Sequence, residues 1–198
     1  MGKILILEDN KKLAGYYKTI LQTGGYEVEL TFNSTDFFYM YSDFKPDILI
    51  LDIKLNNSEL NGLEVFERLI KQNRLFSKVI ILSGEATRME VAKAMKLGAY
   101  TFIDKTGEFN SDKFLSDVQQ AMNLKLQEES NLYLRKEKDA LRNQLINIFP
   151  LIGNSVPMKN VNKLIDKFSS ADVDIMIIGE TGTGKEIVAN NIYWKSSR

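Results

Sequence analysis

The sequence predicts a doubly wound α/β domain built on a five-stranded parallel sheet, then one long helix, then a short P-loop α/β segment. Three observations predict it. Five short apolar runs recur at even spacing over residues 1–124. Helical patterns separate them, as in alternating βα units. From residue 111 to 148 no Gly or Pro interrupts the chain, and a glycine loop stands near its end.

The runs are "KILILE" (3–8), "YEVELTF" (26–32), "DILILDI" (47–53), "KVIILSG" (78–84) and "YTFID" (100–104). Their length and apolar continuity suit strands buried on both faces. Between the first two, "NKKLAGYYKTILQTGG" sets Leu13, Tyr16, Tyr17, Ile20 and Leu21 on one face and stops at glycines. "LNGLEVFERLIKQN" does the same with Leu63, Phe66, Leu69 and Ile70. "ATRMEVAKAMKLGA" aligns Met89, Ala92, Met95 and Lys96 ahead of Gly98, a C-cap residue. A helix capped at Ser111 then runs to 148, roughly 57 Å at 1.5 Å per residue. In its charged second half Leu134, Leu141, Leu145 and Ile148 fall at heptad-like spacing, with Lys138 at one core position. That pattern admits a solvated connector or a dimer-forming helix. "FPLIGNSVP" breaks it and marks a boundary, giving domains 1–124, 125–149 and 150–198.

Composition limits the chemistry. Lys plus Arg and Asp plus Glu number 26 each, so there is no overall basic excess for nucleic acid. Cysteine and histidine are absent, which excludes disulfides, thiolate metal sites and an imidazole base. The start "MGKILILEDN" lacks a signal peptide's apolar region, and no run approaches the roughly 20 residues of a membrane span, so a cytoplasmic protein is expected. "MGKILI" has no Ser or Thr at its sixth position, which argues against myristoylation.

Polar residues gather at the strand ends. The first strand ends in Glu8-Asp9, the third in Asp52, the fourth in Ser83 and the fifth in Lys105. In a parallel sheet these ends share one edge, at the topological switch point. Taken singly, each has a plainer reading: Glu8-Asp9 suits a cap of the next helix, and Lys105 a solvated edge. Together, three carboxylates without His or Cys fit a hard cation, Mg2+. Asp52 becomes a nucleophile able to carry an acyl phosphate, with Lys105 and Ser83 serving phosphoryl oxygens.

On "ILILEDN", "DILILDI", "IILSGEA" and "AYTFIDK", residues 1 to about 124 resemble a response-regulator receiver domain of the flavodoxin-like fold. The resemblance implies that Asp52 is phosphorylated by a sensor histidine kinase. It also implies that Glu8, Asp9, Asp52 and the Lys54 backbone carbonyl hold Mg2+, that Ser83 and Lys105 are the switch hydroxyl and lysine, and that Phe102 is the switch aromatic. There are departures. Thr106 stands where receivers usually have Pro, which raises the question of a cis peptide there. In "IKLNNSELNG", Gly62 falls two residues later than in the family. Lys54 and Glu85 each lie two residues beyond a site residue, and a pair across the mouth would slow attack by water on a phosphoaspartate.

"GETGTGKE" fits G-x-x-x-x-G-K through Gly179, Gly184 and Lys185, between a predicted strand "DIMIIG" and a predicted helix "KEIVANNIYW". Gly179, Glu180, Thr181, Gly182, Thr183, Gly184, Lys185 and Glu186 would cradle phosphates. Glu186 replaces the usual Ser/Thr ligand of Mg2+. With "IGNS…M" before it, this GKE ending resembles the opening of the AAA+ domain of sigma-54-dependent activators, so the whole order resembles an NtrC-type regulator. By that resemblance the chain is the N-terminal part of a longer activator and holds no complete ATPase. It would meet ATP, sigma-54 RNA polymerase and DNA only through regions beyond it, and dimerise through its linker helix. Two other readings are a stand-alone receiver acting by protein contact and a small P-loop NTPase with a regulatory domain.

Overall fold

The structure, a computed structural model, describes residues 2–56, 58–84, 86–106, 109–148 and 150–196, without the side chains of 145–148. It divides into two compact units, Met1–Glu129 and Ser130–Arg198.

In the first unit, β1 (Lys3–Leu7), β2 (Glu27–Thr31), β3 (Ile48–Leu51), β4 (Lys78–Ser83) and β5 (Thr101–Asp104) form one sheet in the order β2-β1-β3-β4-β5. Every pairing is parallel, with Leu7 opposite Leu51 and Ile81 opposite Phe102. All five expected strands are present. Their alternation sorts side chains between two cores. Leu5, Leu7, Leu49, Leu51, Val79 and Ile81 face one layer, and Ile4, Ile6, Ile48, Ile50, Ile80 and Leu82 face the other. Each such side chain, buried to 1% exposure or less, contributes roughly 1.5–3 kcal/mol.

Helices α1 (Lys11–Thr23) and α5 (Ser111–Ile148) cover the second layer through Tyr17, Leu21, Phe114, Val118 and Ala121. Helices α2 (Ser34–Phe44), α3 (Gly62–Lys71) and α4 (Arg88–Lys96) cover the first. Helix α2 is absent from the sequence reading. Its run "STDFFYMYSDF" scatters aromatics over both faces and hides the one that Phe37 and Tyr41 bury. Helix α4 turns the opposite face to the one expected. Ala94 is its buried residue, while Met89 and Met95 are 83% and 43% exposed. Helix α5 is capped not by Ser111 but by Asn110, whose Oδ1 accepts from Lys113 N at 2.8 Å; Ser111 is already helical.

In the second unit, α6 (Val156–Ser169) starts at the Ser155 cap with Pro157 in its first turn, and α7 (Lys185–Lys195) begins after Gly184. The expected strand "DIMIIG" is not one. Residues 174–180 carry no regular secondary structure, and among the described residues they have no ladder partner; a strand exists only through its neighbours. Met176 and Ile178 are exposed accordingly. Leu134 and Leu141 are exposed as a seam would be, and Leu145 and Ile148 lie outside the described side chains.

At the start of α3 a Cβ on Gly62 would lie 2.0 Å from the Asp52 carbonyl oxygen. That close approach lets α3 seat directly beneath the end of β3. Gly62→Ala is expected to cost about 1–3 kcal/mol through forced backbone displacement, read as a lower urea midpoint. A midpoint equal to wild type would contradict the contact.

Candidate functional site

The sheet order reverses direction between β1 and β3, and a crevice opens beyond the carboxyl ends of strands at such a point. Register completes the placement. Because Leu7 pairs with Leu51, the next residues, Glu8 and Asp52, emerge side by side, with Asp52 N donating to Leu7 O at 2.9 Å. Asp9 follows, and one ligand oxygen from each of Glu8, Asp9 and Asp52 lies within 4.8 Å of the others. The cleft, about 460 Å³, is lined by these three with Asn10, Lys54, Asn56, Ser83 and Lys105, among others.

The carboxylates are not the cap of α1. Asn10 fills that role, its Oδ1 accepting from Lys12 N at 3.1 Å and Leu13 N at 3.2 Å. Glu8 and Asp9 are therefore left for the cleft.

Lys105 organises the charge. Its Nζ lies 2.8 Å from Asp52 Oδ2 and also pairs with Glu8 Oε2. Burial nonetheless pushes the Glu8 carboxyl above its ordinary range; the Lys105 hydrogen bond and charge oppose this, while Asp52 adds to it. The adjoining Tyr17 hydroxyl is driven up too, by burial first and then by Glu8 and Asp52. Ser83 Oγ is fully buried and has no hydrogen-bond partner among the described residues, so the site contains a hydroxyl with unspent capacity. Phe102 is half-buried against the core beneath.

The turn after β5 answers the question raised by Thr106. The Lys105–Thr106 peptide is trans. Asp104 Oδ1 accepts from both Thr106 N and Thr106 Oγ1 at 2.7 Å, closing the turn locally. These bonds hold the Asp104 carboxyl below its ordinary range.

Three further residues escaped the sequence reading. Asn56 donates to Asp9 Oδ2 from both its backbone N and its side chain. Asn10 N donates to Glu8 Oε1 at 3.3 Å. Glu90 closes a capping box with Thr87 and pairs with Lys54 Nζ at 3.3 Å. Only Thr87-x-x-Glu90 left a pattern in the sequence. Glu85, the expected partner of Lys54, lies outside the described residues. Lys54 N also donates to Asp52 Oδ1 at 3.2 Å.

In the second unit, Gly182 and Gly184 take positive φ, at 83° and 82°, as a phosphate loop requires. Lys185 Nζ lies 2.9 Å from Gly179 O and also reaches Glu180 O, while Thr183 Oγ1 donates to Glu180 O at 2.7 Å. Thr181 stands at the tip, and Glu186 is in the first turn of α7.

Comparison with known proteins follows the same division. Residues 4–119 match the response regulator receiver domain and residues 151–198 the sigma-54 interaction domain. An NtrX-like response regulator of Rickettsia bellii is 33% identical over 98% of this chain and 39% of its own length. The chain thus spans about two fifths of such relatives. Crystal structures of NtrX from Brucella abortus are similar as well. One superposes with a TM-score of 0.63 at 28% identity, covering 100% of this chain and 41% of that one. Another, determined in complex with ATP, gives 0.57 at 28% identity over 98% and 40%. The acidic crevice at the switch point and the residues around it lie in the matched stretch, and the chain belongs to the response regulator receiver family.

Proposed function

We propose that this chain is the phosphorylated switch and linker of a sigma-54-dependent transcription activator, accepting a phosphoryl group on Asp52 from a sensor histidine kinase. One observation carries the reading: the Lys105 ammonium lies 2.8 Å from Asp52 Oδ2 in a cleft that also holds Glu8, Asp9 and the unpaired Ser83 hydroxyl. The donor imidazole must be the partner's, since this chain has no histidine. An Asp52 carboxylate oxygen forms the new P–O bond as the P–N bond of the phosphohistidine breaks. Lys105 then pairs with one phosphoryl oxygen and the Ser83 hydroxyl donates to another.

Mg2+ fits the donor set, which is three converging carboxylates and no soft ligand, and by the family resemblance the Lys54 backbone carbonyl would add a further oxygen. When bound it offsets the negative charge of the incoming phosphoryl oxygens. Recruitment of Ser83 toward the phosphoryl group would let Phe102 move inward, changing the face formed by β5 and α5.

The exposed Leu134 and Leu141 on α5 support a homodimer through that helix. The loop of residues 179–186 supports a phosphate cradle, and a similar NtrX was solved in complex with ATP. ATP hydrolysis, sigma-54 RNA polymerase and DNA belong to the longer activator. No described helix is long and apolar enough to cross a membrane, which agrees with a cytoplasmic place beside the kinase.

Treatment with a small acyl phosphate and Mg2+ is expected to add one phosphoryl group by intact mass, and Asp52→Asn to prevent it; an unchanged mass gain in the variant would refute the assignment. Glu8 is raised in the folded state, so its stability contribution is full below the ordinary Glu range and is lost as pH rises through the raised value. Glu8→Gln is therefore expected to raise the melting midpoint of the EDTA-treated chain at neutral pH, a gain that shrinks toward about pH 4. The chain alone is expected to turn over ATP no faster than its Lys185→Ala variant.

A further inference from the structure

We propose that Asn56 is a positioning residue for the cation site, holding the Asp9 carboxylate in the rotamer that binds metal. The inference rests on reading Glu8, Asp9 and Asp52 as that site. Asn56 lies four residues after Asp52, in the β3–α3 loop whose length departs from the receiver pattern. Its backbone N is 2.9 Å and its Nδ2 3.0 Å from the same atom, Asp9 Oδ2. Two donors clamp one oxygen and leave Oδ1 outside the clamp. A carboxylate held in this way loses little freedom when it takes a metal, and groups that orient a ligand typically account for 10–100-fold in affinity.

The same loop makes a second, separate set of contacts, to α2. Ser58 Oγ accepts from Ser34 N at 2.8 Å and donates to Leu60 O at 2.7 Å, while Ser34 Oγ accepts from Leu60 N at 3.3 Å. Ser34 is buried in the first turn of α2. The loop is thus anchored to α2 on one side and reaches Asp9 on the other. Helix α2 is thereby tied to an acidic site from which the chain order separates it.

Asn56 is exposed and outside the core, so its truncation leaves the fold in place, and melting in EDTA checks that. The test is Mn2+ binding to the whole chain, read from the loss of the free-ion EPR signal. Asn56→Ala retains the backbone donor and is expected to raise the Mn2+ Kd about tenfold. Ser58→Ala cuts the other anchor without touching Asp9 and is expected to leave the Kd unchanged. Wild-type affinity in Asn56→Ala overturns the proposal, as does equal weakening by Ser58→Ala, which would make loop order the cause. A wild-type chain that binds no Mn2+ sinks the cation site itself, a different failure from a wild type that binds and a variant that binds equally.

Discussion

The Lys105 ammonium is the group on which the acidic site depends. Glu8 and Asp52 are 3% and 7% exposed, and parallel register holds them side by side at the ends of β1 and β3. Two carboxylates so placed repel each other and have lost most of their hydration. Lys105 contacts both. Removing the lysine leaves two buried carboxylates uncompensated and costs about 3–5 kcal/mol. The rest of the first unit serves this arrangement. Strand β5 sits at the sheet edge and delivers the lysine, the Asp104–Thr106 turn fixes where it emerges, and Asn10 takes over the capping duty that would otherwise engage the carboxylates.

The same arrangement suits the proposed switch. Burial raises Glu8 even beside a cation, so the cluster is held at an energetic disadvantage that a second cation bound there would relieve. Among the described residues, the Ser83 hydroxyl has no bond to lose. On the proposed reading, a phosphoryl group would meet a lysine already compensating charge and a donor already desolvated. At the opposite end of the sheet the polar contacts are spent. Tyr41 OH donates to Arg74 O and accepts from Phe76 N. Structural fixity and responsiveness thus lie at opposite ends of the strands.

Much of this was legible in the sequence, for physical reasons. Strands buried on both faces must be continuously apolar, so all five announced themselves. A shared edge follows from parallel topology, so Glu8, Asp9, Asp52, Ser83 and Lys105 could be gathered before any coordinates. What escaped depends on partners that spacing does not encode. Helix α2 hid in its aromatic run. Helix α4 was turned over because methionines read as core, although small Ala94 is what fits against the sheet. "DIMIIG" reads as a strand from residue type, yet its ladder needs neighbours. Asn56 carried no signal at all, since its role comes from the path of a loop.

Helix α4 differs in kind from its neighbour. Helix α3 is held by Leu63, Val65, Phe66 and Leu69, whereas α4 fully buries only Ala94. It also carries two ionic ties, Glu90 to Lys54 and Lys93 to Glu67, and half-exposed pairs contribute about 0–1 kcal/mol each. Apolar contacts are not screened by dissolved ions, whereas exposed ion pairs of this kind weaken as salt rises. The stiffness of this one helix is therefore partly a property of the surrounding electrolyte. The molecule carries an element whose mobility the medium adjusts while the sheet beneath it stays constant.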